Sequence, residues 1–138
     1  MAILRTILRW TSLVLALILL IEGAALFIGM VVLSPGNPWV NVPNTLFLII
    51  DILVGAGILR LVIRHSDMEY SLWFFILITT TVITHLYRAV EFFLPNLTKF
   101  LFNDALFLMN SLKLGFTLLA LVIGLYLFFQ SKIKIDSL

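Results

Sequence analysis

One long apolar run decides the fold class of this chain. Residues 10–33 read WTSLVLALILLIEGAALFIGMVVL, with Glu22 as the only charged residue among them. A helix needs about 20 mainly apolar residues to cross the hydrocarbon core of a bilayer. Three more runs of this kind follow at about 45–63, 70–94 and 104–130. The sequence therefore predicts an all-α integral membrane protein, a bundle of four transmembrane helices.

The composition agrees with a membrane protein and argues against several other classes. Of the 138 residues, 62% are hydrophobic and 12% are charged, whereas a soluble domain carries about 25% charged residues. The length suits a single transmembrane domain over residues 1–138. The absence of cysteine excludes disulfides and thiolate metal sites within the chain. The net charge of +2 gives no indication of nucleic-acid binding.

Basic residues predict the orientation of the chain. They are concentrated at one end of the four runs, in the order Arg5, Arg9, Arg60, Arg64, Lys132 and Lys134. The loops at the opposite end carry only Lys99. Because cytoplasmic segments are enriched in Lys and Arg, we expect a multi-pass protein with both termini in the cytoplasm.

Seven polar or ionisable residues lie inside the apolar runs, all in the predicted outer half. A charge at the centre of a membrane helix costs roughly 2.5–3.5 kcal/mol on insertion scales. At a rise of about 1.5 Å per residue, six of the seven fall into two levels. The upper level contains Asp51, Arg88 and Asn110, and the lower level contains Glu22, His85 and Lys113. Glu91 lies close to the outer interface by the same count.

This intramembrane polar cluster is the candidate functional site. Each level combines an acid and a base on different helices, so we expect Asp51 to pair with Arg88 and Glu22 with Lys113. His85 is predicted to bridge the two levels, because it is one helical turn from Arg88. Such pairs can simply fix which helices pack together, or they can form part of a proton or ion path.

Several functions compete at this stage. The leading prediction is a small non-enzymatic protein, an accessory subunit of a membrane complex or a homo-oligomeric bundle, whose partners are the bilayer and other membrane subunits or copies of itself. The competing interpretation is a proton- or ion-conducting protein that uses the cluster. Glu22, Asp51 and His85 are weak candidates for a metal site, and a quinone or lipid pocket beside His85 is a further possibility. Hydrolase motifs are absent, and the sequence requires no cofactor.

Small residues spaced four apart predict close helix contacts. The three pairs are Ala25 with Gly29, Ser111 with Gly115, and Ala120 with Gly124. Such spacing lets helix backbones approach closely. We expect these pairs to pack inside the bundle rather than to form a dimer interface.

One stretch resembles a known family. Within the stretch from Asp51 to Phe93, residues 58–65 read ILRLVIRH, residues 69–72 read EYSL, residues 78–80 read ITT and residues 86–88 read LYR. This order of a basic turn, an acidic-aromatic helix start and a late arginine resembles the phosphate-starvation-inducible E (PsiE-like) family of small four-span membrane proteins. The resemblance implies a four-span fold but supplies no biochemical mechanism.

Overall fold

Four α-helices form the part of the chain that the computed structural model describes, which is residues 2–33, 36, 42–65, 67–93 and 104–136. Helix α1 is Ala2–Leu26 and continues as a π-helical turn over Phe27–Val32. Helices α2, α3 and α4 are Val42–Arg64, Leu72–Phe93 and Asp104–Asp136. The prediction of an all-helical chain is thus confirmed, with α1 beginning earlier and α4 ending later than the predicted spans.

The turn between α2 and α3 folds back under the bundle. After His65 the chain forms a 3₁₀ turn over Met68–Tyr70, in which Met68 and Glu69 are buried. Tyr70 therefore lies before α3 rather than inside it, and its hydroxyl group donates a hydrogen bond to Ser131 on α4. The side chains of this turn close one end of the helix bundle.

The helices pack as a ring in which each helix contacts its two neighbours. Helix α1 lies against α2 and α4, and α3 completes the ring between α4 and α2. Apolar side chains fill the centre, including Leu15, Ile58, Phe74 and Ile78. The contact between α1 and α2 depends on Gly55, since a Cβ there would lie 3.1 Å from the carbonyl oxygen of Ala16.

The outer surface of the ring is apolar. Large hydrophobic side chains such as Leu53, Ile83 and Val122 are more than half exposed. Three helical segments of the described chain are long and apolar enough to cross a membrane, namely Ala2–Val32, Thr45–Arg64 and Leu108–Lys132. Helix α3 contributes a shorter apolar segment. These features are those of a membrane protein, because an exposed apolar perimeter of this extent is stable in lipid rather than in water.

Two of the three small-residue pairs do not pack inside the bundle, which corrects the expectation from their spacing. Ala120 and Gly124 are buried, but the pairs Ala25–Gly29 and Ser111–Gly115 are exposed. The reason is the rotation of each helix about its axis. Lys113 points inward, and residues two positions away on an α-helix are turned by about 200°, so Ser111 and Gly115 point outward.

Candidate functional site

The candidate site contains one charged side chain from each helix. Glu22 on α1, Asp51 on α2, Arg88 on α3 and Lys113 on α4 meet at one level of the bundle. We call these four residues the charge network. Two carboxylates and two cations make its formal charge zero, so the network carries no net charge into the apolar interior.

Lys113 is the centre of the charge network. Its Nζ lies 3.2 Å from Glu22 Oε1, to which it donates a hydrogen bond, and 3.9 Å from Asp51 Oδ2. The lysine is only 1% exposed. One turn further along α4, the hydroxyl group of Thr117 donates a hydrogen bond to the backbone carbonyl of Lys113. The lysine therefore joins α4 to both α1 and α2.

Arg88 completes the charge network from α3. Its Nη1 lies 3.6 Å from Asp51 Oδ2, and its guanidinium carbon lies over the ring of Phe47, 5.1 Å from the ring centroid. This cation–π contact holds the guanidinium group beside α2. The two ion pairs predicted from depth, Asp51 with Arg88 and Glu22 with Lys113, are both present in the structure.

His85 forms no hydrogen bond to either predicted ion pair within the described residues. His85 is buried, and its Nδ1 lies 2.8 Å from the backbone carbonyl oxygen of Thr81. A carbonyl oxygen only accepts hydrogen bonds, so Nδ1 carries the proton and donates. Nε2 has no hydrogen-bond partner among the described residues. The ring is thus fixed by its own helix, and it does not link the two ion pairs by hydrogen bonds.

Asn110 and Glu91 are not assigned to the charge network. Asn110 is half-buried, and within the described part of the chain no hydrogen bond or ion pair joins it to the four charged residues. It sits one turn above Lys113 on α4 but contributes no such contact. The prediction for the Glu91 side chain lies outside the described residues.

The structure does not assemble a metal site from the weak candidates. No three His, Cys, Asp or Glu side chains come together in a way that could hold a metal ion, as far as the described residues extend. Glu22 and Asp51 face Lys113 instead, so their charge is balanced within the protein.

Three polar atoms at this level of the bundle are buried without a hydrogen-bond partner in the described part of the chain. They are Glu22 Oε2, His85 Nε2 and Arg88 Nε. Unpaired buried polar atoms are costly, and in native proteins they are often satisfied by internal water or belong to functional sites. The charge network is therefore balanced in charge but is not fully satisfied in hydrogen bonds.

A further, partly buried ion pair at the other end of the bundle is missed by sequence reasoning. Glu69, in the 3₁₀ turn, is 1% exposed and accepts a hydrogen bond from Arg5 Nε at 2.8 Å. Nearby, Arg9 donates to the backbone carbonyl of Val62 near the end of α2 at 3.0 Å. The sequence pattern indicates only an orientation signal for Arg5 and Arg9. The sequence feature that could have predicted this ion pair is Glu69, an acidic residue at the end of the bundle that carries most of the basic residues.

Comparison of the chain with protein-family models, with curated proteins and with solved structures finds no match. The functional interpretation therefore rests on the geometry of the bundle itself.

Proposed function

We propose that this chain is a four-span integral membrane protein with both termini in the cytoplasm, and that it acts without catalysis by assembling laterally with copies of itself or with other membrane proteins. The observation that carries the proposal is the outward position of Ser111 and Gly115. A Cβ at Gly115 would meet no atom of the described residues within 4 Å, so nothing in that part of the chain covers this face of α4. Small residues at such positions favour helix–helix association in membranes.

The charge network supports this proposal from the inside. Its charges are balanced by residues of all four helices within one chain. A network of this kind fixes how the four helices pack. The outer surface of the bundle is then the part that contacts neighbouring membrane proteins. A relationship to the PsiE-like family remains a prediction from residues 51–93, and it agrees with a four-span protein of this size.

The assembly proposal is tested by purifying the tagged chain in mild detergent and measuring its mass together with that of any stoichiometric partner. Gly115→Ile places a bulky side chain on the outward face of α4. We expect it to reduce the oligomer or the partner by at least several-fold. Val122→Ile is the matched control, because Val122 is also exposed on α4, and it should leave assembly unchanged. A wild-type chain that is monomeric and carries no partner would contradict the proposal.

The orientation is tested separately with single cysteines, since the chain has none of its own. Asp67→Cys lies at the end that carries most of the basic residues. We expect a membrane-impermeant maleimide to label it only after the cells are opened, and to label Gly36→Cys, an exposed position between α1 and α2, in intact cells. The reverse pattern would overturn the proposed orientation.

Proton or ion conduction is the second candidate function. The buried atoms of Glu22 and His85 that have no hydrogen-bond partner among the described residues favour it, because intramembrane Glu and His side chains are the usual groups of proton relays. Proton flux into liposomes containing the purified chain tests it. Flux that Asp51→Asn abolishes would support conduction, and a wild type without flux above that of empty liposomes would reject it.

A further inference from the structure

A shallow groove runs along the exposed face of α2 near its C-terminal end. Its volume is about 270 Å³, and it is lined by Ala56, Leu59, Arg60, Ile63 and Arg64. We call it the arginine groove. Ala56, Arg60 and Arg64 follow one another at intervals of four residues, so they lie along one line with a step of about 6 Å. The groove is therefore apolar toward the middle of the bundle and basic toward its end.

The arginines at this end of the bundle fall into two groups. Arg5 is bound to Glu69 and Arg9 to the carbonyl of Val62. Arg60 and Arg64 are exposed, and no carboxylate of the described residues forms an ion pair with either. Two arginines one helical turn apart are thus exposed and without a carboxylate partner in this part of the chain, at the level where α2 leaves its apolar segment.

We propose that the arginine groove binds one anionic phospholipid of the cytoplasmic leaflet. Arg60 and Arg64 hold the phosphate of the headgroup, since guanidinium groups form paired hydrogen bonds with phosphate oxygens. The first part of an acyl chain lies against Ala56, Leu59 and Ile63. The charge of the site selects lipids with a net negative headgroup over zwitterionic ones. The inference rests on the proposed membrane embedding and orientation, and it is independent of lateral assembly.

Native mass spectrometry of the purified full-length chain in detergent measures this binding directly. Phosphatidylglycerol, phosphatidylcholine with the same acyl chains, and inorganic phosphate are added in separate arms. We expect one phosphatidylglycerol to be retained, with weak retention of phosphatidylcholine and of phosphate. Retention of inorganic phosphate alone at equal strength would show that the site recognises a free anion and not a lipid.

The variant Arg60→Gln/Arg64→Gln removes both guanidinium groups. A basic residue near an anionic lipid surface contributes about 1 kcal/mol, so we expect binding to weaken about 30-fold, which corresponds to about 2 kcal/mol. Lys132→Gln is the control, because Lys132 is exposed at the same end of the bundle on α4. An equal loss for Lys132→Gln would show that general electrostatic attraction, and not the groove, retains the lipid.

Ala56→Leu tests the apolar part of the groove without changing its charge. Because Ala56 is exposed, the larger side chain fills the groove and should leave the lipid-free stability of the bundle unchanged. We expect phosphatidylglycerol retention to fall at least several-fold. Unchanged retention in both Ala56→Leu and Arg60→Gln/Arg64→Gln would overturn the proposal, whatever the result of the assembly experiment.

Discussion

The ammonium group of Lys113 lies 3.2 Å from the carboxylate of Glu22, and this contact joins the fourth helix to the first. Because Lys113 also faces Asp51, and Asp51 faces Arg88, the contact is one link in a path that touches every helix. The charges of four separate apolar segments are thus balanced only when all four are correctly packed. We infer that the charge network selects this arrangement of the helices over others of similar apolar area.

Asp51 should contribute more to stability than Glu22. Asp51 faces two cations, whereas Glu22 faces one and is the more exposed carboxylate. We expect Asp51→Asn to lower the free energy of unfolding by about 3–5 kcal/mol, the range for breaking a buried ion pair, and Glu22→Gln to lower it less. Unfolding by SDS in mixed micelles, followed by circular dichroism, measures both. A smaller loss for Asp51→Asn than for Glu22→Gln would refute the ranking.

Arg88 should not be replaceable by lysine. The guanidinium group lies over the ring of Phe47 and faces Asp51, and a lysine keeps the charge but not the planar guanidinium group. We expect Arg88→Lys to cost about 0.5–2 kcal/mol of unfolding free energy, as for a cation–π contact. The matched control is Arg60→Lys on the exposed face of α2, which should change stability by no more than about 0.5 kcal/mol. Equal effects of the two variants would argue against a contribution of the contact between Arg88 and Phe47 to stability.

The two acidic residues beside Arg5 should contribute unequally to the stability of the bundle. Glu69 is buried, while the side chain of Asp67 is 53% exposed and its oxygen lies 3.8 Å from Arg5. We expect Glu69→Ala to cost about 1–3 kcal/mol, because Arg5 loses its close partner, and Asp67→Ala to cost less than about 1 kcal/mol. The same micelle unfolding experiment compares them. A larger effect of Asp67→Ala would show that the 3₁₀ turn does not close the bundle as described.

Substitution by alanine should change the free energy of unfolding in opposite directions at two glycines of α4. A Cβ at Gly124 would lie 2.6 Å from the ring of the buried Phe74, whereas a Cβ at Gly115 would meet no atom of the described residues within 4 Å. We expect Gly124→Ala to destabilise the chain by about 1–3 kcal/mol through overpacking. Gly115→Ala should stabilise it by about 0.5–1 kcal/mol through the higher helix propensity of alanine. Unfolding of the monomeric fraction measures both, and the same sign for the two variants would contradict the rotation of α4 described here.

The helices and the two principal ion pairs could be predicted from sequence because they depend on position along each helix. Length and hydropathy set the apolar runs, and the rise per residue placed Asp51 level with Arg88. Glu22 and Lys113 were placed at one level in the same way. Helix length, hydropathy and depth along the helix axis can be read from the sequence without knowing which neighbour each helix faces.

The features that differ from the sequence predictions depend mainly on how each helix is rotated about its own axis. Length and hydropathy do not specify this rotation. His85 was expected to bridge the ion pairs, but it bonds back to Thr81 on its own helix. Gly115 was expected inside the bundle and lies outside. The burial of Glu69 depends on a 3₁₀ turn that brings the chain back under the helices, which hydropathy alone does not indicate.

A double-mutant cycle on Glu22 and Lys113 tests the charge network most directly. Lys113→Met alone leaves two carboxylates facing one arginine, and Glu22→Met alone leaves two cations facing one carboxylate. The double variant leaves the neutral pair of Asp51 and Arg88. We predict that the double variant loses less unfolding free energy in micelles than the two single variants lose in sum. The difference should exceed about 1 kcal/mol, which lies within the range found for residues in contact. Losses that add to within about 0.5 kcal/mol would contradict the claim that these side chains hold the helices together as one network.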